Sequence, residues 1–198
     1  MTRTRVALAL VPLVALTLAT QGHAAPTKAP QIMDAKGDSL TTQADTDIVS
    51  VLWTTAGKGS GKAYVAKQLV VTLTLAGPPA TTPGYTYEVN ADSSQCGDVQ
   101  LTFEPGTPYS DVTGVNGWSS WGTCEDVALI AVKTTGNAIV WSFSLKGQPL
   151  KLGTVLSDFR ARVDASNPVV PLPSDGLGVP LGLGLLDSAT GSGTWKVG

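Results

Sequence analysis

From Leu69 to Leu75 the chain alternates: Leu69, Val71, Leu73 and Leu75 share one parity, and Val70, Thr72 and Thr74 share the other. A helical period would bring Thr72 onto the Leu69 face and crowd the β-branched side chains, so period 2 wins and predicts a strand. The pattern recurs. Tyr85, Tyr87 and Val89 alternate with Thr86, Glu88 and Asn90, and Val99, Leu101 and Phe103 with Asp98, Gln100, Thr102 and Glu104. Ile139, Trp141, Phe143 and Leu145 oppose Ser142 and Ser144, and Phe159, Ala161 and Val163 oppose Asp158, Arg160, Arg162 and Asp164. Such segments have one dry face and one wet face, as in antiparallel sheets with one side in solvent. Ile48–Thr54 predicts a first strand and Thr194–Val197 a last one. Val127–Val132, apolar on both faces, predicts a central strand.

Turn chemistry separates these runs. Gly57 to Lys62 is glycine-rich, Gly77-Pro78-Pro79 stops the second strand, and Pro105-Gly106-Thr107-Pro108 stops the fourth. Thr135-Gly136-Asn137 closes a predicted hairpin. Asn167 to Leu186 has no period and reads as an apolar surface loop. About eight strands with no βαβ alternation predict an all-β fold, an antiparallel two-sheet β-sandwich. Jelly-roll and immunoglobulin-like topologies both remain open.

The first 24 residues carry Arg3 and Arg5, an apolar run from Val6 to Thr20, and small residues at Gly22 and Ala24. This is the pattern of a secretory signal peptide, with an apolar core shorter than the roughly 20 residues of a membrane span. The expected organisation is a signal peptide over 1–24, a mobile lead over 25–33 and a single β-sandwich domain over 34–198. The expected location is extracellular, secreted and not membrane-embedded.

Composition then narrows the chemistry. Removing Arg3 and Arg5 from the 13 basic side chains leaves 11 against 15 acidic ones, a net charge of −4. With no basic cluster, nucleic acid is a poor partner. The sole histidine, His23, lies in the expected signal peptide. The chain beyond Ala24 therefore has no imidazole for a Ser-His-Asp or Cys-His nucleophile, or for histidine-based metal sites. Cys96 and Cys124 form an even pair in an exported chain and are expected to make a disulfide.

Three groups of residues are candidates for a site. Asp34, Asp38, Asp45 and Asp47 fall within fourteen residues ahead of the first strand, with Gly37 permitting a tight turn. Calcium takes six to eight oxygens, so this loop is a candidate for a structural calcium, which Asp187 would join if the last strand lay beside the first. The competing reading is a solvated loop. Glu88 and Glu104 lie on the polar parities of adjacent predicted strands, where a pair of carboxylates could serve glycoside hydrolysis. Solvated surface carboxylates are the commoner outcome. Trp118 and Trp121, with Tyr109 and Asn116, sit in a Gly/Ser-rich loop where strand periodicity does not demand two indoles. They suit a sugar-stacking platform, or they fold back over the disulfide.

Asp34…Gly37-Asp38, Asp47-Ile48-Val49-Ser50-Val51 and Leu69 to Gly77 together resemble a group of small secreted β-sandwich domains of high-GC Gram-positive bacteria. So do Ile139 to Leu145 and the closing Asp187-Ser188-Ala189…Trp195-Lys196-Val197-Gly198. That group has no established activity. More distantly, the pattern is similar to carbohydrate-binding β-sandwich modules. The resemblance implies a fold rather than a reaction. The expected function is non-catalytic binding of a glycan or another extracellular surface ligand. A structural or interaction protein of the cell exterior is the alternative, and a glycoside hydrolase comes third.

Overall fold

The computed structural model describes residues 29–95, 97–106, 117–120, 129–146, 150–165 and 184–198. They form ten strands: β1 (Ile32–Met33), β2 (Ile48–Lys58), β3 (Val65–Leu75), β4 (Tyr85–Ser93), β5 (Gly97–Phe103), β6 (Gly117–Ser120), β7 (Leu129–Thr135), β8 (Ala138–Ser144), β9 (Val155–Ala165) and β10 (Leu185–Lys196). One 3₁₀ turn, Gly61–Ala63, joins β2 to β3. Every pairing is antiparallel. Among the described residues no helix is long and apolar enough to cross a membrane.

The strands make two sheets, ordered β1-β2-β3-β8-β7 and β10-β9-β4-β5-β6. Setting β1 aside, the first follows the A-B-E-D order of an immunoglobulin variable-type sandwich, and the second its G-F-C-C′-C″ order. Of the two topologies left open by the pattern, the strand order is therefore the immunoglobulin-like one. Neither β3 nor β9, which carry the inter-sheet disulfide in antibody domains, contains a cysteine.

Alternation explains the core. Leu69, Val71, Leu73 and Leu75 of β3 are buried, as are Tyr87, Val89 and Ala91 of β4, and the two sets meet between the sheets. Indoles span the gap. Trp53 of β2 packs its ring on Phe159 of β9, with centroids 6.0 Å apart and planes tilted by 53°. The Trp141 indole N–H of β8 donates to the Thr102 carbonyl of β5 at 3.3 Å.

The structure departs from the pattern at four places. β7 is the edge of its sheet, not its centre. Its apolar Ala131 and Val132 are half-buried, so an apolar run on both faces here marks partial cover rather than a central position. The terminal strand starts at Leu185, nine residues earlier than its hydrophobic alternation indicates, so Leu185 and Leu186 leave the expected apolar loop. β2 runs on through Lys58 into the glycine-rich turn. The expected mobile lead ends in ordered structure. Ile32 is fully buried, and Gln31 N–H and Asp34 N–H donate to Val51 and Val49 carbonyls at 2.9 and 3.0 Å. The Gln31 side-chain amide extends this ladder, accepting from Trp53 N–H at 2.6 Å and donating to its carbonyl at 3.2 Å.

β1 also lies against β10. A Cβ on Gly191 of β10 would stand 2.1 Å from the Gln31 carbonyl oxygen, so only glycine allows this approach. Gly191→Ala should cost about 1–3 kcal/mol, as overpacking does. Trp53→Ala should cost about 3–5 kcal/mol. Urea titration should show both as a lower midpoint, with an unchanged slope for Trp53→Ala.

Candidate functional site

β1 and β2 are joined by the loop 34–47, which packs across one end of the sandwich. Leu40 N–H donates to the Leu186 carbonyl of β10 at 2.8 Å, and Gly77 N–H donates to the Ala44 carbonyl at 2.7 Å. Ser39, Thr41 and Thr46 share a hydroxyl network inside the loop, with Thr46 fully buried. Gly37 has a φ of 92°, the left-handed region that glycine adopts without a Cβ penalty. Its N–H donates to Asp47 Oδ2 at 2.8 Å, tying the first turn of the loop to its last residues.

This packing brings Asp34, Asp38 and Asp187 together, with one carboxylate oxygen of each within 4.8 Å of the others. Asp34 is fixed by its backbone bond to β2. Asp187 projects from β10 toward the other sheet, accepting Ile48 N–H at 2.6 Å and Ser188 N–H at 2.8 Å. It is 7% exposed. Burial raises the Asp34 carboxyl above the usual range, the Ala35 N–H draws it back, and Asp38 and Asp47 push it up again. Burial raises Asp187 too; its two backbone donors lower it, and Asp34 and Asp38 raise it.

Asp45, expected in this group, is not in it. Its turn closes onto Gly77, and its charge falls instead on Tyr85, whose phenol is raised by burial and then by Asp45. Asp187, 139 residues from Ile48 in the chain, takes its place.

A second polar concentration covers the outer face of the β10-β9-β4-β5-β6 sheet. Register aligns Ser188, Arg162, Glu88, Thr102 and Trp118 in one row across five strands, and Thr190, Arg160, Asn90, Gln100 and Ser120 in the next. Glu88 is at the centre and only 4% exposed, although it lies on the outer face. Its Oε1 accepts from Asn90 at 2.6 Å, and its Oε2 accepts from Gln100 at 2.7 Å and Arg162 at 2.9 Å. Arg162 also pairs with Asp164 at 3.0 Å, and Arg160 with Asp92 and Asp98 at 2.8 and 3.1 Å. Burial raises the Asp164 carboxyl, Arg162 lowers it, and Glu88 raises it.

Comparison of the chain with family models, with curated proteins and with solved structures finds no match. The immunoglobulin-like likeness therefore rests on strand order alone.

Glu88 and Glu104 do share the outer face of neighbouring strands, since Glu104 continues the register beside Thr86, whose hydroxyl donates to it at 3.5 Å. The Glu88 carboxylate is, however, held by a guanidinium and two amides. Three of its roughly four acceptor sites are taken, and the Arg162 guanidinium pairs with its charge. Trp118 falls in β6, at the register position opposite Thr102. Trp121, Tyr109, Asn116, Cys96 and Cys124 lie outside the described residues, and the expected disulfide with them.

The cluster of Arg162, Glu88 and Gln100 is not singled out by the strand pattern, which marks all three as wet. The available signal is opposite charge at the same parity of neighbouring strands.

Asp187→Ala would leave the buried Ile48 N–H without an acceptor, at a cost of about 1–3 kcal/mol. Asp187→Asn keeps an acceptor and removes one charge from a repulsive trio. In chelator-containing buffer, thermal melts should place Asp187→Asn above Asp187→Ala.

Proposed function

We propose that this protein is a secreted, non-catalytic binding module, and that the outer face of the β10-β9-β4-β5-β6 sheet is its contact surface for a glycan. The observation that supports this most is the state of Glu88: an outer-face carboxylate, almost completely covered and held by three side-chain donors. Around it, carboxylate, amide and guanidinium groups stand in two adjacent rows at strand spacing. Sugar hydroxyls both donate and accept, and such planar groups match them with directional bonds. Because these side chains already hold one another in place, little rotamer freedom remains to be lost on binding. Trp118 holds the register position at the end of the central row.

Arg160 is the residue to change. It is half-exposed, and its pairs with Asp92 and Asp98 are surface pairs, worth roughly 0–1 kcal/mol to the fold. Arg160→Ala should keep its melting temperature within a few degrees and lose about tenfold in affinity for any polysaccharide that retains the parent. The measurement is an insoluble-polysaccharide pull-down followed by titration. A parent protein retained by none of a broad panel would count against the glycan and favour a structural or interaction role.

A further inference from the structure

We propose that Asp34, Asp38 and Asp187, backed by Asp47, hold a divalent cation of the calcium class, and that this ion clamps the two sheets together at one end of the sandwich. The spacing fits. Oxygens sharing a calcium at 2.3–2.6 Å are at most about 5 Å apart. One oxygen from each of the three carboxylates lies within 4.8 Å of the other two.

Acidic groups also gather on surfaces without any ion, so proximity does not decide the matter. Asp47 does. It is only 5% exposed; one oxygen takes the Gly37 N–H, and the other, Oδ1, is buried with no hydrogen-bond partner. Gly37 lies between Asp34 and Asp38, so Asp47 is pressed against the turn that carries two of the trio. Asp34 repeats the anomaly: its Oδ1 accepts from Ala35 N–H, while its Oδ2 is buried with no partner. Among the described residues no lysine or arginine pairs with any of the four. Buried carboxylate oxygens normally have a donor or a cation, because leaving them bare sacrifices their hydration for nothing.

A hard cation supplies both the missing charge and the missing partner. The donor set is all oxygen, with neither imidazole nor thiolate, which suits calcium rather than zinc or copper. Asp34 follows β1 in the first sheet and Asp187 belongs to β10 in the second, so an ion shared between them joins the sheets. The ion is independent of any glycan on the outer face, since the two sites share no residue.

The test is thermal melting of the purified protein in millimolar calcium and in chelator, with calorimetric titration of calcium alone. With free calcium at about a hundred times Kd, the melting temperature should rise by about 5–10 °C over the chelated state. Asp38 is exposed and makes no hydrogen bond among the described residues. Asp38→Asn should therefore keep the chelated melting temperature and lose most of the calcium shift. Asp45→Asn, outside the trio, should keep the shift. A parent protein with neither a calcium shift nor a binding heat overturns the proposal. So does an Asp38→Asn protein that shifts as far as the parent.

Discussion

Asp187 reaches out of β10 and accepts a hydrogen bond from Ile48 N–H, the first residue of β2 in the opposite sheet. A sandwich otherwise holds its layers together by apolar contact, which is strong but non-directional. Sheets packed that way tolerate some sliding. A short bond from a buried carboxylate to a main-chain donor does not. It sets where β2 begins relative to β10, and therefore the course of the loop 34–47 that must close between them. The Leu40–Leu186 and Gly77–Ala44 bonds continue this fixation along the loop. The carboxyls are crowded because one of them serves as this anchor, and the anchor cannot move without unmaking the start of β2.

The opposite arrangement holds on the outer face of the second sheet. There, charge is neutralised within the surface itself: Glu88 by Arg162, and Asp92 and Asp98 by Arg160. One chain thus contains a polar cluster whose carboxylates are paired with guanidinium groups and another with carboxylate oxygens left bare. The first kind balances its charge within the surface. The second is incomplete in charge as well as in hydrogen bonds.

Period-2 alternation carries most of the fold, because a one-sided sheet prints its geometry into every second residue. It locates the cores of β3, β4, β5, β8 and β9. It has less to work with at β1 and β6, which are two and four residues long. Topology comes from strand order, which alternation does not encode. The acidic site is half legible. Asp34 and Asp38 are near neighbours with a glycine between them, so their approach is local. Asp187 comes from the far end of the chain and depends on β10 lying beside β1, a long-range fact. Asp45 belongs to the same run of sequence yet points elsewhere, because a turn can reverse the facing of residues only a few positions apart. Glu88 reads as merely wet, since nothing in one strand's pattern tells a solvated carboxylate from one roofed by three neighbours.

The Gln31 amide has a consequence for how copies of this protein meet. Beyond the short β1, strand β2 would present a row of main-chain donors and acceptors to solvent, and such an edge invites another chain's strand to add to it. The outward-pointing positions are the alternate residues Val49, Val51, Trp53 and Thr55. Asp34 N–H takes the first carbonyl and Gln31 N–H the second. The Gln31 side chain takes both groups of Trp53, and the Tyr64 hydroxyl takes the Thr55 carbonyl at 2.9 Å. A single amide and a single phenol thus finish, with side-chain atoms, a border that two residues of β1 are too short to close, and they leave a visiting strand little main chain to copy.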